Sequence, residues 1–144
     1  MDVIQVLVVI FGVGFTVFQV KDIANNQLDR KYDLATRYYD KLGSGTDEKI
    51  SIAIEHKKAI LTPKGNFTTD ELDNYLDDLD GIGEALGRGL LDEDTVCSDF
   101  SDLTLSAHDN SEIAEYITKV RVDRKDNAYF GDVDSLYNFI SSCQ

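Results

Sequence analysis

Residues 3–20 read VIQVLVVIFGVGFTVFQV, eighteen consecutive positions without a charge. Gln5, Thr16 and Gln19 are their only polar side chains. As a helix the run would rise about 27 Å, close to the roughly 30 Å hydrocarbon core of a bilayer. No later stretch compares with it, and the 124 residues that follow are polar and acidic. We read the run as a transmembrane anchor, helical despite its β-branched residues because lipid leaves backbone polar groups no other partner.

Three rival readings fit less well. A cleaved signal peptide wants a basic start and a small-residue cleavage site; here Met1-Asp2 precede the run and Lys21-Asp22-Ile23-Ala24 follow it. A hairpin turning at Gly12-Val13-Gly14 would need both faces buried, since its arms do not alternate. A core helix would need more chain to wrap it. Lys21, Arg30, Lys31, Arg37 and Lys41 all follow the run and no base precedes it. The excess of bases on that side predicts a membrane protein with its N-terminus out and its C-terminal domain cytoplasmic. Gly12 and Thr16 form a small-xxx-small pair that would let a second helix approach.

Length and composition leave room for one anchor and one small domain. A single Pro and 42% hydrophobic content argue for a folded unit. The two cysteines, Cys97 and Cys143, match neither a disulfide framework nor a metal spacing. In a cytoplasmic domain both are expected to be free thiols. The net charge of −13 is concentrated: residues 66–117 hold fifteen acidic side chains and one base, Arg88. Such a surface repels nucleic acid, so no nucleic-acid partner is expected.

The chain after the anchor reads as helices. Leu28, Tyr32, Ala35, Tyr39 and Leu42 recur at steps of four and three, one stripe of a helix expected to pack inward. Gly43-Ser44-Gly45 is a turn. A second helix follows, its buried side traced by Ile50, Ala53, Ile54, Lys57, Ile60 and Leu61 and its end set by Pro63 and Gly65. Thr68-Thr69-Asp70-Glu71 is a capping box. It opens a helix with Leu72, Tyr75, Leu76, Leu79, Ile82, Gly83 and Leu86 on one face. Gly81, Gly83, Gly87 and Gly89 cost helix stability, so close approach of a neighbour is expected there, with Gly89 as a C-terminal cap. Asp92 caps a short helix; residues 103–110 lead into and form a loop; Ser111 caps another helix. Residues 121–126 read as a charged connector, and Asp132 starts a last helix using Leu136, Tyr137 and Ile140.

The apolar-faced helix carrying Asp80, followed by Leu86-Gly87-Arg88-Gly89-Leu90-Leu91-Asp92-Glu93, resembles the bacterial and phage proteins grouped as domain of unknown function 4760. Those proteins also tend to begin with one spanning helix, then a basic helix with aromatic residues, as Arg30-Lys31-Tyr32 to Tyr38-Tyr39 does here. The likeness covers about residues 1–100 in order of features. It implies a membrane-anchored helical domain and brings no reaction with it.

Four stretches carry patterns that suggest chemistry. Asp92-Glu93-Asp94-Thr95-Val96 fits the pattern of aspartate-nucleophile phosphatases, which needs a buried parallel strand before it, and only Leu90-Leu91 precede it. A calcium loop with Gly81 as its sixth-position glycine would place Leu76 and Gly87 at its first and last ligand positions. Gly81-Ile82-Gly83 with Gly87 follows a helix rather than a strand, so it is no dinucleotide fingerprint. His108-Asp109 has only His56 as a further histidine. No catalytic set, cofactor or metal is therefore predicted.

The sequence thus predicts an all-α chain: a transmembrane anchor over residues 1–22 and an acidic helical cytoplasmic domain over 23–144, with a juxtamembrane helix at 23–42. It is expected to be a non-enzymatic accessory subunit or interaction protein, touching the bilayer through residues 3–20 and a protein partner elsewhere. The alternative is an inhibitor or immunity protein whose acidic face covers a basic surface on a toxin or nuclease. The candidate partner-binding residues are Gly12, Thr16, Asp73, Asp77, Asp78 and Asp80.

Overall fold

The computed structural model describes residues 25–143. Over these residues the chain is all-α: seven helices, and no strand beyond an isolated bridge between Leu61 and Phe67. None of these helices is long and apolar enough to cross a membrane. The expected anchor, with Gly12 and Thr16, lies outside the described residues.

Helix α1 occupies residues 25–42, α2 Gly45–Glu55, α3 Thr69–Gly87, α4 Glu93–Asp99, α5 Ser101–His108, α6 Ser111–Arg124 and α7 Gly131–Ser141. The centre is α3. Its capping box forms as read: the Glu71 amide donates to the Thr68 hydroxyl at 3.2 Å and the Thr68 amide donates to the Glu71 carboxylate at 2.8 Å. Leu72, Tyr75, Leu76, Leu79 and Ile82 are fully buried along it, each contributing roughly 2 kcal/mol by leaving water. The most extensive helix pair is α3 with α7, which buries Val133, Leu136 and Ile140; α5 packs on both α7 and α2.

Several elements differ from the sequence reading. Helix α2 stops at Glu55 rather than running to Pro63. The Lys57 amide donates to Ile54 O and the Lys58 amide to Ala53 O, with Lys57 left-handed at φ 51°. This is a Schellman closure without the glycine that normally announces one. Ile60 is buried all the same, because the Glu112 carboxylate of α6 accepts from the Ile60 and Leu61 amides, each at 2.8 Å. Half of the loop expected at 107–110, Ala107 and His108, is the end of α5, whose Thr104 and Ala107 are buried. The cap of α6 is Asn110, one residue earlier than read, accepting from the amides of Glu112 and Ile113. The supposed connector begins inside α6. There Arg121 donates to Tyr129 O at 2.7 Å, to Phe130 O at 3.1 Å and to the Asp134 carboxylate at 2.7 Å, bracing the corner between α6 and α7.

Two corrections bear on function. Cys97 and Cys143 are not free thiols; they form a disulfide that ties the end of α7 to α4. Leu28, Tyr32 and Tyr39 are not packed inward: they are 46%, 52% and 58% exposed. Ala35 and Leu42 of the expected stripe are buried, and Leu34 and Tyr38 complete the inward face of α1 with them.

Candidate functional site

Four of the candidate residues lie on α3, and the fold engages three of them. Asp73 accepts from the Tyr116 hydroxyl at 2.7 Å, joining α3 to α6. Burial, then that bond to Asp73, pushes the Tyr116 hydroxyl well above its usual range. Asp80 accepts from the Asp132 and Val133 amides at 3.0 and 3.2 Å, supplying to α7 the N-terminal cap that Phe130 lacks. Burial raises the Asp80 carboxyl even though both amides act to lower it. Asp78 is only 6% exposed and pairs with Lys41 of α1. Asp77 alone is exposed, its carboxyl raised by partial burial and then by its neighbours Asp73 and Asp78. The four therefore do not form one outward acidic face.

The residues around Asp78 form a charged cluster. Lys41 takes Asp78 Oδ1, while Oδ2 is buried and meets no N–H or O–H donor. Asp47, in the first turn of α2, is placed so that a proton on its carboxyl would let it share a hydrogen bond with Asp78. Burial, that bond and the Asp78 charge push the Asp47 carboxyl up to about 6 against the opposing Lys41. Burial, then the charges of Asp78 and Glu84, also raises the nearby Tyr38 hydroxyl. The folded chain thus holds a proton on Asp47 that the unfolded chain releases near pH 3.8. Its contribution to stability is complete below that value and is lost as pH rises through about 6. In Asp47→Asn that loss is expected to vanish, so its melting temperature should gain on the wild type between pH 4 and 7. Parallel melting profiles over that interval would show that Asp47 titrates normally.

The residues weighed for catalysis are placed otherwise. Asp92 caps α4, accepting from the Thr95 amide at 3.2 Å, so the phosphatase-like pattern opens a helix. The His108 ring stacks on Tyr137 at 3.4 Å between centroids, with Nδ1 3.4 Å from an Asp109 oxygen. Among the described residues no three His, Cys, Asp or Glu side chains are grouped as a metal would need.

The feature that composition and spacing did not disclose is a groove of about 780 Å³. One wall is α2, with Glu48, Ser51, Ile52 and Glu55; the other is the α4–α5 junction and α5, with Asp99, Asp102, Leu103 and Leu105. Tyr39 and Leu42 close one end, the Tyr39 ring standing edge-on to Phe100 at 6.5 Å. Tyr75 lies at the base; burial pushes its hydroxyl up to about 12, and the Ser51 hydroxyl donates to it at 3.5 Å. The groove depends on α5 and on the true end of α2, the two elements the sequence reading missed.

No protein-family model, curated protein or solved structure matches this chain. The likeness to the domain of unknown function 4760 proteins therefore rests on the order of features alone.

Proposed function

We propose that this chain is a non-enzymatic binding protein, held at a bacterial membrane by residues 3–20 and offering its helical domain to a protein partner. The observation that carries this reading is α1. Its described part, from residue 25, comes soon after the apolar run in the sequence, and it leaves Leu28, Tyr32 and Tyr39 outside the core. Exposed Leu and Tyr side chains on one helix offer apolar surface that another protein can cover. Purification of the full chain from membranes in mild detergent is expected to bring down a stoichiometric partner, identified by mass spectrometry. A full-length protein that stays soluble without detergent, or one that elutes alone, would remove the reading.

Two observations bear on which side of the membrane the domain faces. The bases after the run favour the cytoplasm, although only Lys21, Arg30 and Lys31 lie within a dozen residues of it. The Cys97–Cys143 bridge favours an oxidising compartment, since cytosolic thiols are kept reduced. We take the bridge as the stronger constraint and orient the domain outward.

The inhibitor or immunity reading remains the alternative. It no longer draws on Asp73, Asp78 and Asp80, whose carboxylates serve the fold. It draws on the carboxylates along the groove.

A further inference from the structure

We infer that the groove between α2 and the α4–α5 wall receives an amphipathic helix bearing Lys or Arg from a partner protein. The inference rests on the partner-binding reading and gives it a site. Both walls carry carboxylates, Glu48 and Glu55 on one side and Asp99 and Asp102 on the other, and no Lys or Arg lines the groove. Between them the surface is apolar: Ile52 is 43% exposed, Tyr39 more so, and Leu103 and Phe100 lie below. From Glu48 to Glu55 the α2 wall runs about 10 Å, two helical turns. That length takes apolar side chains at i, i+3 or i+4, and i+7 of a docked helix, the usual pattern of helix-in-groove recognition.

Charge selects the occupant. An uncharged or acidic apolar helix would desolvate four carboxylates with nothing to pair them, which is costly. A small cation would leave the apolar floor unused. Basic side chains flanking an apolar stripe satisfy both walls while the stripe fills the centre. The chain's own residues 1–24 do not fit, having one base, Lys21, against Asp2 and Asp22. Nor does α1 of a second copy, where Arg30, Lys31 and Arg37 are interleaved with Asp29, Asp33 and Asp40, and Arg37 already pairs with Asp33 at 2.8 Å.

The test uses the full chain in mild zwitterionic detergent. The probe is a Leu/Lys helical peptide with a benzophenone group at the centre of its leucine face. After irradiation, adducts mapped by mass spectrometry are expected within residues 48–55 and 99–106. The combined variant Glu48→Gln, Glu55→Gln, Asp99→Asn, Asp102→Asn is expected to lower labelling roughly tenfold or more. Neutralising the exposed acids Asp70, Glu84, Glu115 and Asp123 is expected to leave it unchanged, as is the absence of labelling by a Leu/Glu peptide. Adducts scattered over the acidic surface, equal losses in the two variants, or groove residues covered by a second copy of the chain would each overturn the inference. Co-purification of a partner together with failed groove labelling would remove this site and leave the partner-binding reading standing.

Discussion

Replacing both Cys97 and Cys143 by serine is expected to destabilise the domain by about 4 kcal/mol, the chain entropy released when a loop of this length is no longer closed. The two residues are 46 apart in sequence. The bridge fastens the chain just past α7 to α4, and α7 is also the main partner of α3, so loosening that end frays the largest helix pair in the fold. Against a total stability on the order of 5–15 kcal/mol, such a loss is large. It is measured by urea unfolding of the wild type with and without reductant, beside the double variant. Reductant should shift the wild-type midpoint to that of the variant and leave the variant unmoved. Coincident curves for all three would show that the bridge contributes nothing. The same two residues report on orientation. If the domain faces an oxidising compartment, both thiols of the protein taken directly from cells should resist alkylation until reduced. Immediate alkylation in unbroken cells would return the domain to the cytoplasm.

What the sequence disclosed and what it hid divide along one physical line. Helix α3 was legible because everything that specifies it is local: the Thr68–Glu71 box, the apolar spacing from Leu72 to Ile82, and the Gly89 closure, where φ is 69° and the Leu90 amide reaches Ala85 O. The roles of the acids were not legible, because each is set by a residue far away in the chain. Asp80 caps a helix 52 residues on, Glu112 clasps the loop at Ile60 52 residues back, and Asp78 meets Lys41 from 37 residues away. An acid-rich stretch looks the same from sequence whether its carboxylates face solvent or tie segments together. The tyrosines of α1 were misread for a related reason. Spacing defines a stripe but does not say which stripe turns inward, and Leu34 and Tyr38 complete another one. Helix α5 has no side-chain cap, and its packing on other helices, α7 and α2 foremost, holds it, so the groove it walls was hidden with it.

Gly83→Ala is expected to cost about 3 kcal/mol although alanine is the better helix former. A Cβ at Gly83 would lie 2.1 Å from Asp132 O and 2.7 Å from its carbonyl carbon, both backbone atoms at the start of α7. A flexible side chain could swing away; a helix terminus cannot. Relief requires α3 and α7 to separate by about 1 Å, within the usual 1–3 kcal/mol range for overpacking. That same shift pulls the Asp132 and Val133 amides away from Asp80, which stands one turn before Gly83 on α3 and caps α7. A lost cap adds about 1 kcal/mol, roughly cancelling the helix propensity gained by alanine. Gly87→Ala is the internal control. Nothing lies within 4 Å of its added Cβ, so it should stabilise by up to about 1 kcal/mol. The two substitutions are chemically identical, sit four residues apart on one helix, and should move the unfolding midpoint in opposite directions. Two shifts of the same sign would mean that α7 does not ride on Gly83, and that the glycines of α3 are there for some reason other than the approach of a neighbouring helix.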